Sequence, residues 1–222
     1  MGSSDIHATQ QMQSLGTLLE AEMGWSVGAA NYRFLAHALD AMARARKLGS
    51  ADECTGWLLD GAWSTEKAAS CAQFLTIGET YFFRERRGFD LIVECAQRRL
   101  ADPQRAARPL RIWSAGCCTG EEPYSAAIAL RTAVPQLRPD AVTILATDIS
   151  KQNLDAARAG VYRKWSFRRN ADPLLQRFFE PAGGELRVRD ELRNMVSFAE
   201  LNLALPVYPS SANGTAGLDV IL

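Results

Sequence analysis

The stretch that most restricts what this 222-residue chain can fold into runs from Leu110 to Leu130, LRIWSAGCCTGEEPYSAAIAL. Leu110, Ile112 and Trp113 form an apolar run short enough for a buried strand, and it breaks at Ser114-Ala115-Gly116. A small-residue turn leads to Gly120, then to Glu121, Glu122 and Pro123, and then to a helical apolar face of Tyr124, Ala127, Ile128 and Leu130. Proline fits the first turn of a helix, where its missing N–H would have had no partner. Carboxylates in that turn face the positive end of the helix dipole. Strand, glycine turn and helix in this order make the first unit of a Rossmann-like nucleotide fold, and the glycines let a ligand approach the main chain closely. Many α/β proteins contain such a unit without any cofactor, so alone it speaks to fold more than to function.

The charges in the turn narrow the ligand. G-x-G-x-x-G is absent, and two glutamates stand where a dinucleotide's pyrophosphate would need bare N–H groups, which disfavours an NAD-binding oxidoreductase. An acidic turn suits a ligand that is cationic or carries hydroxyls and an amine; S-adenosylmethionine, with a sulfonium, an ammonium and a ribose, is one. The 25 basic and 25 acidic residues cancel, leaving no global electrostatic pull on nucleic acid or a membrane. A nucleic-acid methyltransferase is further disfavoured because no [ND]-P-P-[YF] motif occurs. Five cysteines without a CxxC spacing make neither a disulfide framework nor a zinc site, and no metal is expected. With no signal pattern and no apolar run of bilayer length, the chain reads as cytoplasmic.

Along the chain, residues up to about 13 are polar and read as frayed, and Leu15 to Met23 as a short helix. Phe34, Leu35, Ala38, Leu39 and Met42 follow helical spacing, with Gly49 as the expected stop. Arg44, Arg46 and Lys47 near that helix's end complement its dipole or form a docking surface for an acidic partner. Trp57, Leu58, Trp63 and Phe74 continue the helical pattern, so residues 14–75 are expected to form a small all-α domain and 76–222 an α/β domain. FLTIGETYFFRE, Phe74 to Glu85, reads as a connection pinned by aromatics. Thr80 and Arg84 are polar in an apolar neighbourhood and would need partners if buried. A helix follows with Phe89, Ile92, Val93, Ala96 and Leu100 on one face. Val142 to Ala146 reads as a second strand, ending at Thr147-Asp148, where a doubly wound fold places an acid that binds ribose hydroxyls. Ser150 is the better cap for the next helix, which leaves Asp148 free; Gly160 stops that helix. Leu174, Leu175, Phe178 and Phe179 suggest one or two helical turns, and Leu186–Val188 is expected to pair with Met195–Phe198 as a small antiparallel insertion, about 174–199. Glu200 to Leu203 lies just past a strand, and LDVIL, Leu218 to Leu222, is a further buried strand.

FLTIGETYFFRE, SAGCCTGEEPYSAAIAL, ILATDIS and VSFAELNL, in this order and spacing, resemble the CheR-type chemotaxis receptor methyltransferases. FFRE and TGEEPYS are long and specific, and the resemblance covers nearly the whole chain. It implies a Rossmann-like class I methyltransferase domain behind a small helical one, and S-adenosylmethionine-dependent methylation of protein glutamates, with S-adenosylhomocysteine as product. It places cofactor contacts at Thr80, Arg84, Glu122, Asp148, Asn202 and Leu203, and gives Arg84 a catalytic role, orienting either the incoming carboxylate or the cofactor's own. Arg44, Arg46 and Lys47 would face the methylation helices of a chemoreceptor's cytoplasmic domain.

The sequence departs from the family pattern in three places. Gly78 stands where the family often has Asn. The family continues past the final strand with a C-R-N-x-x-I-Y-F segment and a tyrosine near the methyl group, so the chain corresponds to a C-terminally incomplete member. The insertion from Phe179 to Arg187 is shorter than in members that bind a receptor's C-terminal peptide, which argues against such tethering. A carboxylate nucleophile is already ionised near neutral pH and needs no general base, which suits a chain with two histidines and no His-Asp-Ser set. The rival reading is a non-catalytic module that binds cofactor or receptor and transfers nothing.

Overall fold

The computed structural model describes residues 3–28, 31–76, 78–102, 104, 108–168 and 177–222. The chain divides into two compact units, one of residues up to 76 together with Asn202–Pro206, the other of Gly78–Leu201 and Val207–Leu222. Among the described residues no helix is long and apolar enough to cross a membrane.

The first unit is helical: α1 (Ser3–Met23), α2 (Tyr32–Arg46), α3 (Ala51–Leu59) and α4 (Thr65–Leu75). Leu15, Leu19, Leu35, Leu39, Met42, Leu58 and Cys71 fill its core. The N-terminal stretch expected to fray is helical from Ser3, since its alanine, glutamines and methionine are good helix formers continuous with the anchored Leu15 and Leu19. α2 stops earlier than Gly49: Lys47 takes the left-handed position (φ 59°) and returns its N–H to the carbonyls of Ala43 and Arg44. The Gly49 N–H instead donates to Glu53 Oε2 at 2.8 Å, joining the start of α3, which Ser50 caps through the Glu53 N–H at 3.1 Å. Asn202, far downstream, donates from Nδ2 to the Glu22 carbonyl at 2.7 Å and accepts the Ala204 N–H at 2.9 Å.

The second unit contains α5 (Arg86–Ala101), β1 (Leu110–Ala115), α6 (Glu121–Ala133), β2 (Val142–Asp148), α7 (Lys151–Ala159), β3 (Val161–Tyr162), α8 (Lys164–Phe167), β4 (Phe179–Ala182), β5 (Glu185–Val188), α9 (Asp190–Arg193), β6 (Val196–Glu200) and β7 (Val220–Ile221). A parallel sheet runs β6-β2-β1-β7, with Ile112 beside Ile144 and Val220, and Ile144 beside Val196. The strand order reverses beside β1, and in open parallel sheets ligands bind outside the carboxyl ends of the strands at such a point. Helices and sheet close over Phe82, Phe89, Ile92, Ile128 and Leu192. Phe82 is fully buried with the rings of Tyr162, Phe167 and Phe179 at 4.9, 5.0 and 5.2 Å, burial worth about 1.5–3 kcal/mol for such a side chain.

Three expectations change here. β5 does not pair with Met195–Phe198; it lies between β3 and β4 in a separate antiparallel sheet, while Val196–Glu200 joins the parallel sheet beside β2. The two-residue turn Gly183-Gly184, with φ 58° and 87°, matches the twist of a tight hairpin and sets the β4–β5 pairing. Phe179 opens a strand rather than a helical turn, and Leu174 and Leu175 lie outside the described residues. On α5, Phe89, Ile92 and Ala96 are buried but Leu100 is exposed. Arg99 takes the inward position instead, held by an ion pair to Asp219 at 2.8 Å.

Candidate active site

At the carboxyl end of β1 the chain turns through Gly116 to Gly120 before entering α6. The Thr147 carbonyl, on β2, accepts the N–H groups of both Gly116 and Cys117 at 2.8 Å, so the turn is fastened to the end of the neighbouring strand. Gly120 has no alternative: its φ is +94°, and a Cβ there would stand 2.8 Å from Ala157 Cβ and 2.9 Å from the Tyr162 hydroxyl.

Asp148 closes β2 and is nearly buried. Its Oδ2 accepts the Cys118 N–H at 2.8 Å, and its Oδ1 accepts the Ser150 N–H at 2.8 Å. Ser150 does cap α7, accepting the Asn153 N–H at 3.3 Å, but Asp148 is not left free, because two main-chain amides fix its orientation. The Asn153 side-chain amide adds a longer bond to Oδ1 at 3.4 Å, and since a carboxylate has about four lone-pair sites, capacity for a ligand hydroxyl remains. Glu122, in the first turn of α6, accepts from Ser114 Oγ at 2.6 Å. Two carboxylates on a glycine turn at the ends of β1 and β2 suit a ligand with positive charge and hydroxyls, and would repel a pyrophosphate.

The segment from Gly78 to Glu85 lies against this turn. A Cβ on Gly78 would come within 3.3 Å of Cys118 Sγ, so glycine at 78 matches the thiol at 118. Thr80 is buried. The Phe83 N–H, at a residue with φ 58°, donates to Ser125 Oγ at 2.9 Å, and Ser125 donates to the Glu121 carbonyl at 2.6 Å. Arg84 is exposed; its Nη1 donates to the Glu79 carbonyl and its guanidinium stands 6.0 Å from the Tyr81 ring centroid.

Thr80, Arg84, Glu122 and Asp148 are thus carried by the second unit, whereas Asn202 and Leu203 belong to the first. The Asn202 amide is engaged there with Glu22 and Ala204. Of the three basic residues on and after α2, Arg44 and Lys47 are exposed. Arg46 is tied into the first unit, paired with Glu66 at 2.5 Å, bonded to Ser70 at 3.2 Å and stacked 3.7 Å from the Trp57 ring centroid.

What the sequence pattern does not show is the network behind the turn, which Ser166 and Tyr162 join from more than 40 residues away. Glu121 is buried, with Thr119 Oγ1 donating to Oε2 at 2.6 Å and Ser166 Oγ to Oε1 at 2.9 Å. Burial pushes its carboxyl above the ordinary range, and the hydroxyl bonds pull it back only in part. The Tyr162 hydroxyl donates to the Thr119 carbonyl at 2.7 Å, and burial, with the Glu121 charge second, raises it well above a usual phenol. Cys117 and Cys118 are also raised, chiefly by burial. A thiol held protonated is a poorer nucleophile than a thiolate.

A family model described as the SAM-binding domain of CheR methyltransferase matches residues 78–221. Chemotaxis protein methyltransferase 2 of Pseudomonas aeruginosa is 46% identical over 133 residues, covering 58% of this chain and 46% of that protein. Chemotaxis protein methyltransferase 1 of Vibrio cholerae serotype O1 is 31% identical over 199 residues, 87% of this chain and 70% of that protein. The chemotaxis protein methyltransferase of Escherichia coli K12 is 39% identical over 138 residues, 60% of this chain and 46% of its own length. The matched stretch therefore spans about half of two of these relatives and 70% of the other.

Proposed function

This chain belongs to the CheR methyltransferase family, and from that premise we propose that it transfers the methyl group of S-adenosylmethionine to glutamate carboxylates of chemoreceptors in adaptation signalling, acting in the cytoplasm. The observation that carries this reading is the acidic glycine turn, in which Asp148 is oriented by the Cys118 and Ser150 amides and Glu122 by Ser114. Asp148 would take the ribose hydroxyls and Glu122 the cofactor's polar groups at the other end, with Thr80 beside them. Asn202 and Leu203 are proposed as further contacts on the strength of the family resemblance.

Bound S-adenosylmethionine would supply a methyl group on a sulfonium, with a neutral thioether as the leaving group. The rest of the task falls to the protein. An ionised glutamate needs no base, so the residues need only align it and exclude water while opposite charges neutralise. Arg84, at the exposed edge of the loop that carries Thr80, is proposed to orient the incoming carboxylate. Arg44 and Lys47 are proposed to meet the receptor's cytoplasmic helices, with Arg46 bracing them through Glu66 and Trp57.

Calorimetric titration with S-adenosylhomocysteine, followed by transfer of radiolabelled methyl to receptor-containing membranes, tests the proposal. Micromolar binding and label released as methanol by mild alkali, as from carboxyl esters, are the expected results. A folded chain that binds no S-adenosylhomocysteine would overturn it.

A further inference from the structure

Of the five tryptophans, Trp165 alone is exposed, at 56%. It sits on α8, a four-residue helix followed by Arg168, whose backbone takes the unusual φ 42°. The Arg168 guanidinium carbon lies 4.0 Å from the Tyr81 ring centroid and 5.2 Å from that of Trp165, and its Nη2 pairs with Glu79 Oε1 at 2.7 Å. Arg84 donates to the carbonyl of the same Glu79, so two guanidinium groups converge on residue 79. Exposed Arg86, Arg87 and Lys164 add positive charge on the two chain segments involved, so that with Arg84 and Arg168 five cations there outnumber the exposed carboxylates of Glu79 and Glu85.

The arrangement is held from behind. The Ser166 carbonyl accepts the Phe82 N–H at 2.8 Å, the Ser166 hydroxyl donates to Glu121 at 2.9 Å, and the Phe167 ring stacks on Phe82 with centroids 5.0 Å apart. One turn of helix is thereby fixed to both the loop that carries Arg84 and the helix that carries Glu122. A solvated loop has no need for an exposed indole over a cation buttressed in this way.

We propose that Trp165 and Arg168, with Arg84, form a surface on which an acidic helical segment of the protein substrate is laid. This rests on the methyl-transfer reading above and names the residues that grip the substrate beside the reacting carboxylate. A planar guanidinium matches a carboxylate in two-point geometry. Its five N–H donors can serve a substrate carboxylate as well as Glu79. The indole covers the apolar flank of the helix that carries the carboxylates.

The test is calorimetric titration with a synthetic alanine–glutamate helical peptide of about 20 residues, long enough to hold a helix in water, and with its glutamine counterpart. S-adenosylhomocysteine is titrated first in the same cell, and its failure to bind the parent counts against the methyl-transfer reading, independently of the peptide result. The parent is expected to bind the glutamate peptide, more weakly as salt is raised, and the glutamine peptide far less. Trp165→Ala and Arg168→Gln should each weaken peptide binding about tenfold, as loss of a central anchor does, with S-adenosylhomocysteine affinity unchanged. Peptide binding that is absent in the parent, as tight in both variants as in the parent, or indifferent to glutamate against glutamine would overturn the proposal. Trp165 is exposed, so Trp165→Ala keeps the test valid even if Arg168→Gln perturbs its loop.

Discussion

Glu121 brings a carboxylate into the second unit with two hydroxyl donors, and burial raises its pKa. A raised carboxyl holds its proton more tightly in the folded state than in the unfolded one. Its contribution to stability is therefore fully present below the unfolded carboxyl's pKa and is lost as pH rises through the folded value. Glu121→Gln, which keeps the shape without the charge, should match or exceed the parent's stability at pH 7. Its advantage should shrink as the pH falls toward about 4, where an ordinary glutamate protonates. Urea denaturation of the two proteins across that range reads the difference, and a gap independent of pH would contradict it. Asp148→Ala should weaken S-adenosylhomocysteine binding ten- to hundredfold by calorimetry, as expected for roughly 1.5–3 kcal/mol from a charged hydrogen bond; unchanged affinity would remove Asp148 from the site. Asp148 and Glu122 were legible in the sequence because each stands at a fixed offset from an apolar run, at the end of a strand or the start of a helix. Glu121 shares that turn, but its burial depends on Ser166, 45 residues away, a separation for which no local pattern exists. Asp148 was read as free for a similar reason: the Cys118 amide reaches it only when the glycine turn folds back over β2.

At the scale of elements, helices and parallel strands followed from periodicity, whereas ends and pairings depended on competition. The stop of α2 moved from Gly49 to Lys47 because Gly49 was recruited by Glu53. β6 joined the parallel sheet because β4 and β5 already had each other across a glycine turn. The link between α3 and α4 shows what a buried cation can do for such an end. Lys67 is 5% exposed, and its ammonium donates to the carbonyls of Asp60 and Ala62, main-chain acceptors that the end of α3 and the following turn would otherwise leave short. Lys67→Met preserves the apolar stem and removes both bonds. It should cost about 1–3 kcal/mol in a urea unfolding experiment, the range for leaving a buried polar group unpaired; a change within a few tenths of the parent would mean that water replaces the ammonium.

For the molecule as a whole, stability is gathered by contacts between distant parts of the chain. Asp219, just before β7, accepts both Nη groups of Arg108 at 2.7 and 3.1 Å and the Arg111 N–H at 2.9 Å, and pairs with Arg99 at 2.8 Å. The end of α5, the start of β1 and the approach to β7 are joined at one carboxylate. Partial burial pushes that carboxyl up, but the Arg108 and Arg111 hydrogen bonds and the arginine charges outweigh it and leave it below the ordinary range. With a depressed pKa, its contribution is present above the unfolded carboxyl's value and is lost as pH falls through the folded one. Asp219→Asn should therefore be less stable than the parent at neutral pH, with the deficit fading in acid, the opposite trend from Glu121→Gln. Thermal melts at pH 7 and pH 3 would show it, and a deficit that persists unchanged in acid would assign the loss to packing. The return of Asn202–Pro206 to the first unit, where Asn202 bonds to the Glu22 carbonyl, makes the chain pass between the units three times instead of once. A protease that cuts only near residue 77 thus separates the four helices from Asn202–Pro206, the short stretch of their own unit that stays covalently attached to the other fragment.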